Sequence, residues 1–170
     1  MQKVLIIIPT LDIGGIETSL MYLVNNLDKN KYIIDLLVHK DGELLSKIDL
    51  NGKVLYYDNF IKYKKGIFYR LNKNIMISSL YRKYKNAFRS LDNKYDVIIS
   101  YNGFDNYFDM IGSSISSKKK IIWVHNDYPS MIKNKRFAFL YKIMYKLMGK
   151  KFTYFDKIIC VSQNVKNNFD

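Results

Sequence analysis

Short, continuous apolar runs separated by amphipathic stretches limit the fold of this chain more than any other feature of its sequence. Several runs consist of Ile, Val and Leu without polar alternation, which is typical of strands covered by helices on both faces. Candidate strands lie at Val4–Ile8, Ile33–Val38, Val54–Tyr57, Val97–Ser100, Ile121–His125 and Lys157–Val161. Candidate helices lie within Gly15–Leu27, Glu43–Leu50, Ile67–Leu91, Asp105–Ser116 and Ser130–Lys150. This alternation predicts an α/β domain with a doubly wound, mostly parallel, Rossmann-like sheet and helices on both faces.

The first strand leads through a glycine pair, Gly14-Gly15, into the most strongly patterned helix. Its apolar residues recur on one helical face: Ile16, Leu20, Leu23, Val24 and Leu27. Glu17 complements the helix dipole in the first turn, where the hydroxyls of Thr18 and Ser19 can meet free amides. A bare backbone at a helix N-terminus favours an anionic ligand. The alternative interpretation of the glycine pair is a tight turn without a ligand.

Polar residues or glycines follow the candidate strands, and ligands in open α/β sheets bind beyond the carboxyl ends of strands. Gly14-Gly15 follows the first strand, and the later strands are followed by further polar residues or glycine. These are Tyr101, Asn102 and Gly103 after the fourth, His125, Asn126 and Asp127 after the fifth, and Ser162 and Gln163 after the sixth. A carboxylate near His125 can fix its tautomer and raise its pKa. The alternative is a loop histidine that is merely hydrogen-bonded. We therefore predict a site at this rim of the sheet.

The formal charge of +13 is concentrated in two segments. Residues 62–95 contain 10 basic and 1 acidic side chains, and residues 132–152 contain 7 basic and none acidic. In the later segment Lys135, Lys142 and Lys146 share a helical face, which suits an anionic membrane surface. The alternative is an ordinary solvated lysine face, enlarged by codon bias. Nucleic acid is not an expected partner, because no binding motif occurs and arginine is scarce.

Several other functions lack their sequence signatures. The motifs G-x-G-x-x-G and G-x-x-x-x-G-K-[ST] do not occur, which argues against dinucleotide and P-loop sites. Two histidines and one cysteine, far apart in sequence, predict no metal site. The lone Cys160 and the lack of a membrane-length apolar run or signal peptide predict a reducing, cytoplasmic location.

Four segments together resemble the N-terminal domain of a GT-B-fold, retaining glycosyltransferase of family 4. They are P-T-L-D-I-G-G-I-E-T after the first strand, Y-D-V-I-I-S ending at Ser100, W-V-H-N-D ending at Asp127, and D-K-I-I-C-V-S ending at Ser162. The resemblance implies that residues 1–170 form a single Rossmann-like, acceptor-side domain. It also implies that the C-terminal domain, which binds the nucleotide-sugar, is missing from the chain. The sequence ends just after a strand, as expected for half of a larger protein.

The resemblance further implies an enzyme that transfers a sugar from a nucleotide-sugar to a cell-surface polysaccharide, glycolipid or lipid-linked acceptor at the inner membrane face. His125 would be the catalytic residue. The donor diphosphate and the acceptor would contact Gly14, Gly15, Ile16, Glu17, Asn102 and Asp127. No cofactor is expected, and no metal is required. We expect the isolated chain to be inactive. The alternative function is a non-catalytic peripheral membrane-binding module that uses basic amphipathic helices.

Overall fold

The computed structural model describes residues 1–61, 77–103, 106–126 and 150–167. Its strands are β1 (Gln2–Ile7), β2 (Tyr32–Val38), β3 (Val54–Tyr56), β4 (Val97–Ser100), β5 (Lys119–Val124) and β6 (Lys157–Cys160). Its helices are α1 (Gly15–Asn26), α2 (Ile77–Ala87), α3 (Asn106–Ser114) and the short α4 (Gln163–Asn167). Single 3₁₀ segments occupy Glu43–Lys47, Tyr57–Asn59, Arg89–Leu91 and Lys150–Tyr154.

The described strands form one six-stranded sheet in the order β3-β2-β1-β4-β5-β6, and every pairing is parallel. In the central strand, Leu5 pairs with Asp35 of β2 on one side and with Ile98 of β4 on the other. The chain therefore winds outward from β1 in one direction and then returns to wind outward in the other. This confirms the predicted α/β class and puts a topological switch point between β1 and β4.

Alternate residues of β1 point to opposite faces of the sheet, and both faces are covered. On one face α1 packs on the sheet and contributes Leu20 and Val24, which are fully buried. On the other face α2 and α3 contribute Phe88 and Ile111 to a second cluster. Double coverage explains why β1 is a continuous apolar run. A third cluster, around β5 and β6, consists of Ile122, Val124, Phe152, Phe155 and Val165.

Two strands begin two residues earlier than their apolar runs predict. β1 starts at Gln2 and β5 at Lys119, because their polar first residues already pair with neighbouring strands. The helix predicted over Glu43–Leu50 is wrong in type and length, since the structure has a 3₁₀ segment ending at Lys47. The side chain of Asn25 explains this end: its amide donates to the Lys47 carbonyl and its oxygen accepts from the Asp49 amide.

The basic helix predicted within Ile67–Leu91 is described only from Ile77 onward, and its described part is a core helix. Tyr84 and Phe88 are 2% and 1% exposed, and they pack with Leu91 against the sheet as their spacing predicts. Phe68, Leu71, Ile75 and the predicted helix within Ser130–Lys150 lie outside the described residues.

Asp35 is the one carboxylate inside an otherwise apolar strand run, and the structure gives it two donors. Its Oδ2 accepts from the Tyr95 hydroxyl at 2.7 Å, and its Oδ1 accepts from the Lys53 amide at 2.7 Å. Tyr95 is largely buried, and burial, followed by the bond to Asp35, raises its pKa well above the usual value. The pair ties β2 to the segment that enters β4.

We expect Tyr95→Phe to lower the free energy of unfolding by about 1.5–3 kcal/mol, because it removes a hydrogen bond to a charged, partly buried group. Tyr22→Phe is the matched control, since Tyr22 is 62% exposed and the change should stay within about 0.5 kcal/mol. Urea denaturation of both variants provides the measurement. Equal effects of the two substitutions would contradict a structural role for the Asp35–Tyr95 bond.

Candidate functional site

A cavity of about 500 Å³ lies at the switch point, beyond the carboxyl ends of the central strands. This volume falls within the range of about 300–1,000 Å³ that small-molecule sites occupy. The cavity extends from the first turn of α1 across the ends of β4 and β5 to the end of β6. It is lined by Gly15, Ile16, Ser19, Tyr101, Trp123, His125, Asn126 and Val161.

The glycine pair leaves open space rather than enabling a special backbone conformation. Gly14 has φ −158° and ψ 166°, which is extended backbone that any residue adopts. A Cβ on Gly14 would meet the Glu17 carboxylate, which folds back over it. A Cβ on Gly15 would meet nothing within 4 Å and would project into free space. Gly15 therefore exposes the backbone of the α1 N-terminus to the cavity.

The Ser19 hydroxyl links α1 to the end of β4. It was expected to meet free amides in the first turn, but it donates to the Ile16 carbonyl at 2.8 Å. Because its one hydrogen is used there, Ser19 accepts a hydrogen bond from the Tyr101 hydroxyl at 3.1 Å. The Tyr101 amide donates to the Ile7 carbonyl at 2.9 Å, which fixes Tyr101 to the end of β1. Residues from two elements that are distant in sequence thus meet beneath the cavity.

Three aromatic rings pack together at the base of the cavity. Trp123 and His125 project from the same side of β5 and the residue after it, with centroids 6.2 Å apart and planes 15° from parallel. The Tyr101 ring tilts against both, at 5.1 Å from Trp123 and 4.8 Å from His125. Tyr101 is 2% exposed, whereas the other two rings are half-buried. Tyr101 therefore holds the other two rings in place.

His125 is held as a neutral imidazole beside the Tyr101 backbone. Burial lowers its pKa, and the interaction with the Tyr101 backbone offsets only part of that effect. Because Nε2 has no partner, we assign the ring proton to Nδ1, and Nε2 then carries the lone pair. Nε2 is also shielded from solvent. A buried acceptor without a donor costs about 1–3 kcal/mol, which a suitable ligand can recover.

The structure brings together only part of the set of residues singled out from sequence. Gly15, Ile16 and His125 line the cavity. Gly14 and Glu17 lie beside it at the start of α1, and Asn102 is half-buried in the loop after β4. Asp127 and the three lysines Lys135, Lys142 and Lys146 lie outside the described residues.

Three lining residues escaped the sequence-based prediction: Ser19, Trp123 and Val161. Tyr101 and Asn126 belong to the predicted rim, and Val161 directly follows β6, so the same rim argument could have selected it. Trp123 belongs to β5 itself and looked like part of the core. Ser19 lies one turn into α1, and its position depends on the helix docking beside β4.

Among the described residues, no group of three or more His, Cys, Asp or Glu side chains is placed to hold a metal ion. None of the described helices combines the length and the apolar character needed to cross a bilayer.

Comparison with known proteins gives one positive result. The family model described as Glycosyltransferase Family 4 matches residues 13–170, which is nearly the whole chain and includes every residue that lines the cavity. No curated protein matches the chain.

We expect Gly15→Ala to leave the free energy of unfolding within about 0.5 kcal/mol of the parent protein, because the new methyl group enters free space. Gly42→Ala is the contrasting variant. Its Cβ would lie 2.0 Å from the Leu11 carbonyl carbon and 2.2 Å from the Asp12 amide, so it should cost about 1–3 kcal/mol or more. Urea denaturation compares the two. Strong destabilisation by Gly15→Ala would show that the space above Gly15 is not free.

Proposed function

The chain belongs to glycosyltransferase family 4, and we propose that it is the acceptor-side domain of a retaining hexosyltransferase. Its sheet is that of the Rossmann-like N-terminal domain of a GT-B fold. The enzyme would transfer a sugar from a nucleotide-sugar to a cell-surface polysaccharide, glycolipid or lipid-linked acceptor. One observation carries this proposal: the cavity at the switch point brings the exposed backbone of Gly15 and the unpaired His125 together in one space.

The proposed role of the α1 N-terminus is to stabilise the departing nucleoside diphosphate. Helix α1 is 12 residues long and begins at Gly15, which lines the cavity, so its free first amides and its dipole favour negative charge at that end. The Glu17 carboxylate over Gly14 opposes this effect and would have to turn away when the diphosphate arrives. Most of the countercharge would therefore come from basic residues of a second, nucleotide-sugar-binding domain. In this proposal no cofactor takes part, and amides and basic side chains act without a metal.

The proposed role of His125 is to orient a sugar hydroxyl near the reacting centre. A neutral imidazole with its proton on Nδ1 accepts a hydrogen bond at Nε2, so the ligand supplies the donor. Because Nε2 is shielded, the ring must turn slightly to meet the hydroxyl. The new hydrogen bond would satisfy a nitrogen that otherwise has no partner. Asp127, next in the proposed set, and Asn102 would complete the contacts to the substrates.

We expect His125→Ala to lower kcat/KM for sugar transfer by about 10- to 100-fold, the loss of one well-placed hydrogen bond in a desolvated site. The assay measures incorporation of labelled sugar from a panel of nucleotide-sugars into lipid and polysaccharide fractions by the protein of the complete reading frame. His39→Ala is the control, because this histidine is exposed beside Tyr57 and Asp58, away from the cavity.

Two results would contradict the proposal. One is transfer at the parent rate by His125→Ala, and the other is robust transfer by residues 1–170 alone, since the donor site is assigned to the second domain.

A cytoplasmic position on the inner membrane face is a further part of the proposal, and α2 gives it one supporting observation. Arg82, Lys85 and Arg89 are exposed on the outer side of α2 and the turn that follows it. Tyr84 of this helix is in the core, and so is Phe88 just after it. Attraction of the exposed cations to anionic lipid would be electrostatic, about 1 kcal/mol per well-placed cation. The same contact could serve a non-catalytic membrane-binding module.

We expect the protein to sediment with vesicles containing anionic phospholipid at low salt and to be released at high salt, because screening weakens surface attraction. The triple charge reversal Lys135→Glu, Lys142→Glu and Lys146→Glu should abolish most of this binding. Phosphatidylcholine vesicles should bind little protein at any salt concentration.

The matched control reverses three exposed lysines of the slightly acidic first third of the chain: Lys31, Lys40 and Lys53. This control changes the net charge equally, so a similar loss of binding in both triple variants would contradict a localised membrane surface. Salt-resistant binding to neutral vesicles would contradict an electrostatic mode.

A further inference from the structure

The cavity at the switch point has a composition that selects the class of sugar it can hold. We propose that it binds an uncharged sugar ring of the acceptor, with the ring's apolar face against Trp123 and its hydroxyls directed to Ser19, Asn126 and His125. This inference rests on the proposed function and narrows it, because it separates neutral acceptor termini from uronate- or phosphate-bearing ones.

The described lining of the cavity is uncharged. The chain has 28 Lys and Arg residues, yet none of the described residues that line the cavity carries a charged side chain. His125 is neutral because burial lowers its pKa. Moving a carboxylate or phosphate into such a space without a paired cation is costly. The nearest charged group at the start of α1 is the Glu17 carboxylate, which repels anions.

The base of the cavity is a packed set of aromatic rings. Tyr101 packs against both Trp123 and His125 and is itself 2% exposed, so the Trp123 ring lies on a fixed support. Ordered aromatic rings offer a flat apolar surface at low entropic cost. One face of a hexose carries mainly C–H groups and suits such a surface. Ile16 and the 49%-exposed Val161 extend the apolar wall on opposite sides.

The polar side chains of the described lining are all neutral and can form hydrogen bonds with sugar hydroxyls. The Ser19 oxygen donates to Ile16 and accepts from Tyr101, which leaves it one lone pair to accept from a sugar hydroxyl. Asn126 provides an amide with donors and an acceptor, and His125 provides the unpaired Nε2 acceptor. A sugar hydroxyl can serve each of these groups, whereas a lipid tail would leave them without partners. The lining therefore favours a neutral polyol over both an anion and an acyl chain.

The test uses the fluorescence of Trp123, the chain's one tryptophan, so any change in emission reports on this cavity. The 170-residue chain is titrated with methyl glucoside, methyl galactoside and methyl N-acetylglucosaminide, and in parallel with glucuronate and glucose 6-phosphate. At least one neutral glycoside should change the emission saturably in the millimolar range. It should bind about tenfold or more tightly than either anionic sugar, a difference of about 1.4 kcal/mol.

Two variants that keep the tryptophan locate the binding. Gly15→Ala adds a methyl group to the cavity and should weaken the neutral glycoside at least fivefold, while the exposed-site variant Tyr22→Phe should bind as the parent does. Equal or tighter binding of the anionic sugars would overturn the inference. The absence of any saturable change with all three neutral glycosides would overturn it as well.

The outcome can be separated from that of the proposed function. If the protein of the complete reading frame transfers sugar, but only to acidic acceptors, the inference fails and the glycosyltransferase proposal stands. If neutral glycosides bind as expected but no nucleotide-sugar is used, the proposed transfer reaction fails while the selectivity of the cavity is still observed.

Discussion

The parallel pairing of β1 with both β2 and β4 is the constraint on which the rest of this structure depends. β1 contributes backbone hydrogen bonds in both directions and buries its side chains on both faces, so it can lie only at the centre of the sheet. Beyond its last residue, the Ile8 amide still bonds the Leu37 carbonyl, and the Ile7 carbonyl accepts from the Tyr101 amide. The loop that precedes α1 is thereby held beside the loop that follows β4.

This central pairing transmits order to the cavity through a short series of contacts. The Tyr101 amide donates to the Ile7 carbonyl, and the Tyr101 hydroxyl is hydrogen-bonded to Ser19 of α1. The Tyr101 backbone also interacts with the His125 ring. Just before it, the buried Ser100 hydroxyl donates to Asp109 of α3 at 2.5 Å, which ties the same strand end to the opposite face. The position of the imidazole therefore depends on how β4 and β5 are paired in the sheet.

Much of the fold follows from sequence because β1, β2 and β4 each contain a run of Ile, Val and Leu without regular polar alternation, a pattern typical of covered parallel strands. The first residues of β1 and β5 were not predictable from the apolar runs, because Gln2 and Lys119 have polar side chains. Both residues nevertheless pair with neighbouring strands through their backbones. Asp35 is a charged residue in an otherwise apolar strand. Its partners, Tyr95 and Lys53, are distant in sequence and come near it only in the folded structure. Local pattern gives no access to such contacts between residues far apart in sequence.

The candidate site was only partly predictable for the same reason. Gly15 and His125 stand out in sequence because one begins a strongly patterned helix and the other directly follows an apolar run. Ser19 and Trp123 acquire their positions only when α1 and β5 dock beside Tyr101. The net charge of +13 does not extend to the described lining, since that lining is uncharged and the exposed cations of α2 lie on the outer surface. An aromatic cavity whose described lining is uncharged, beside a single helix N-terminus, supplies little countercharge for a diphosphate. It suits the proposed acceptor side, and it leaves the binding of the anionic donor mainly to a facing domain.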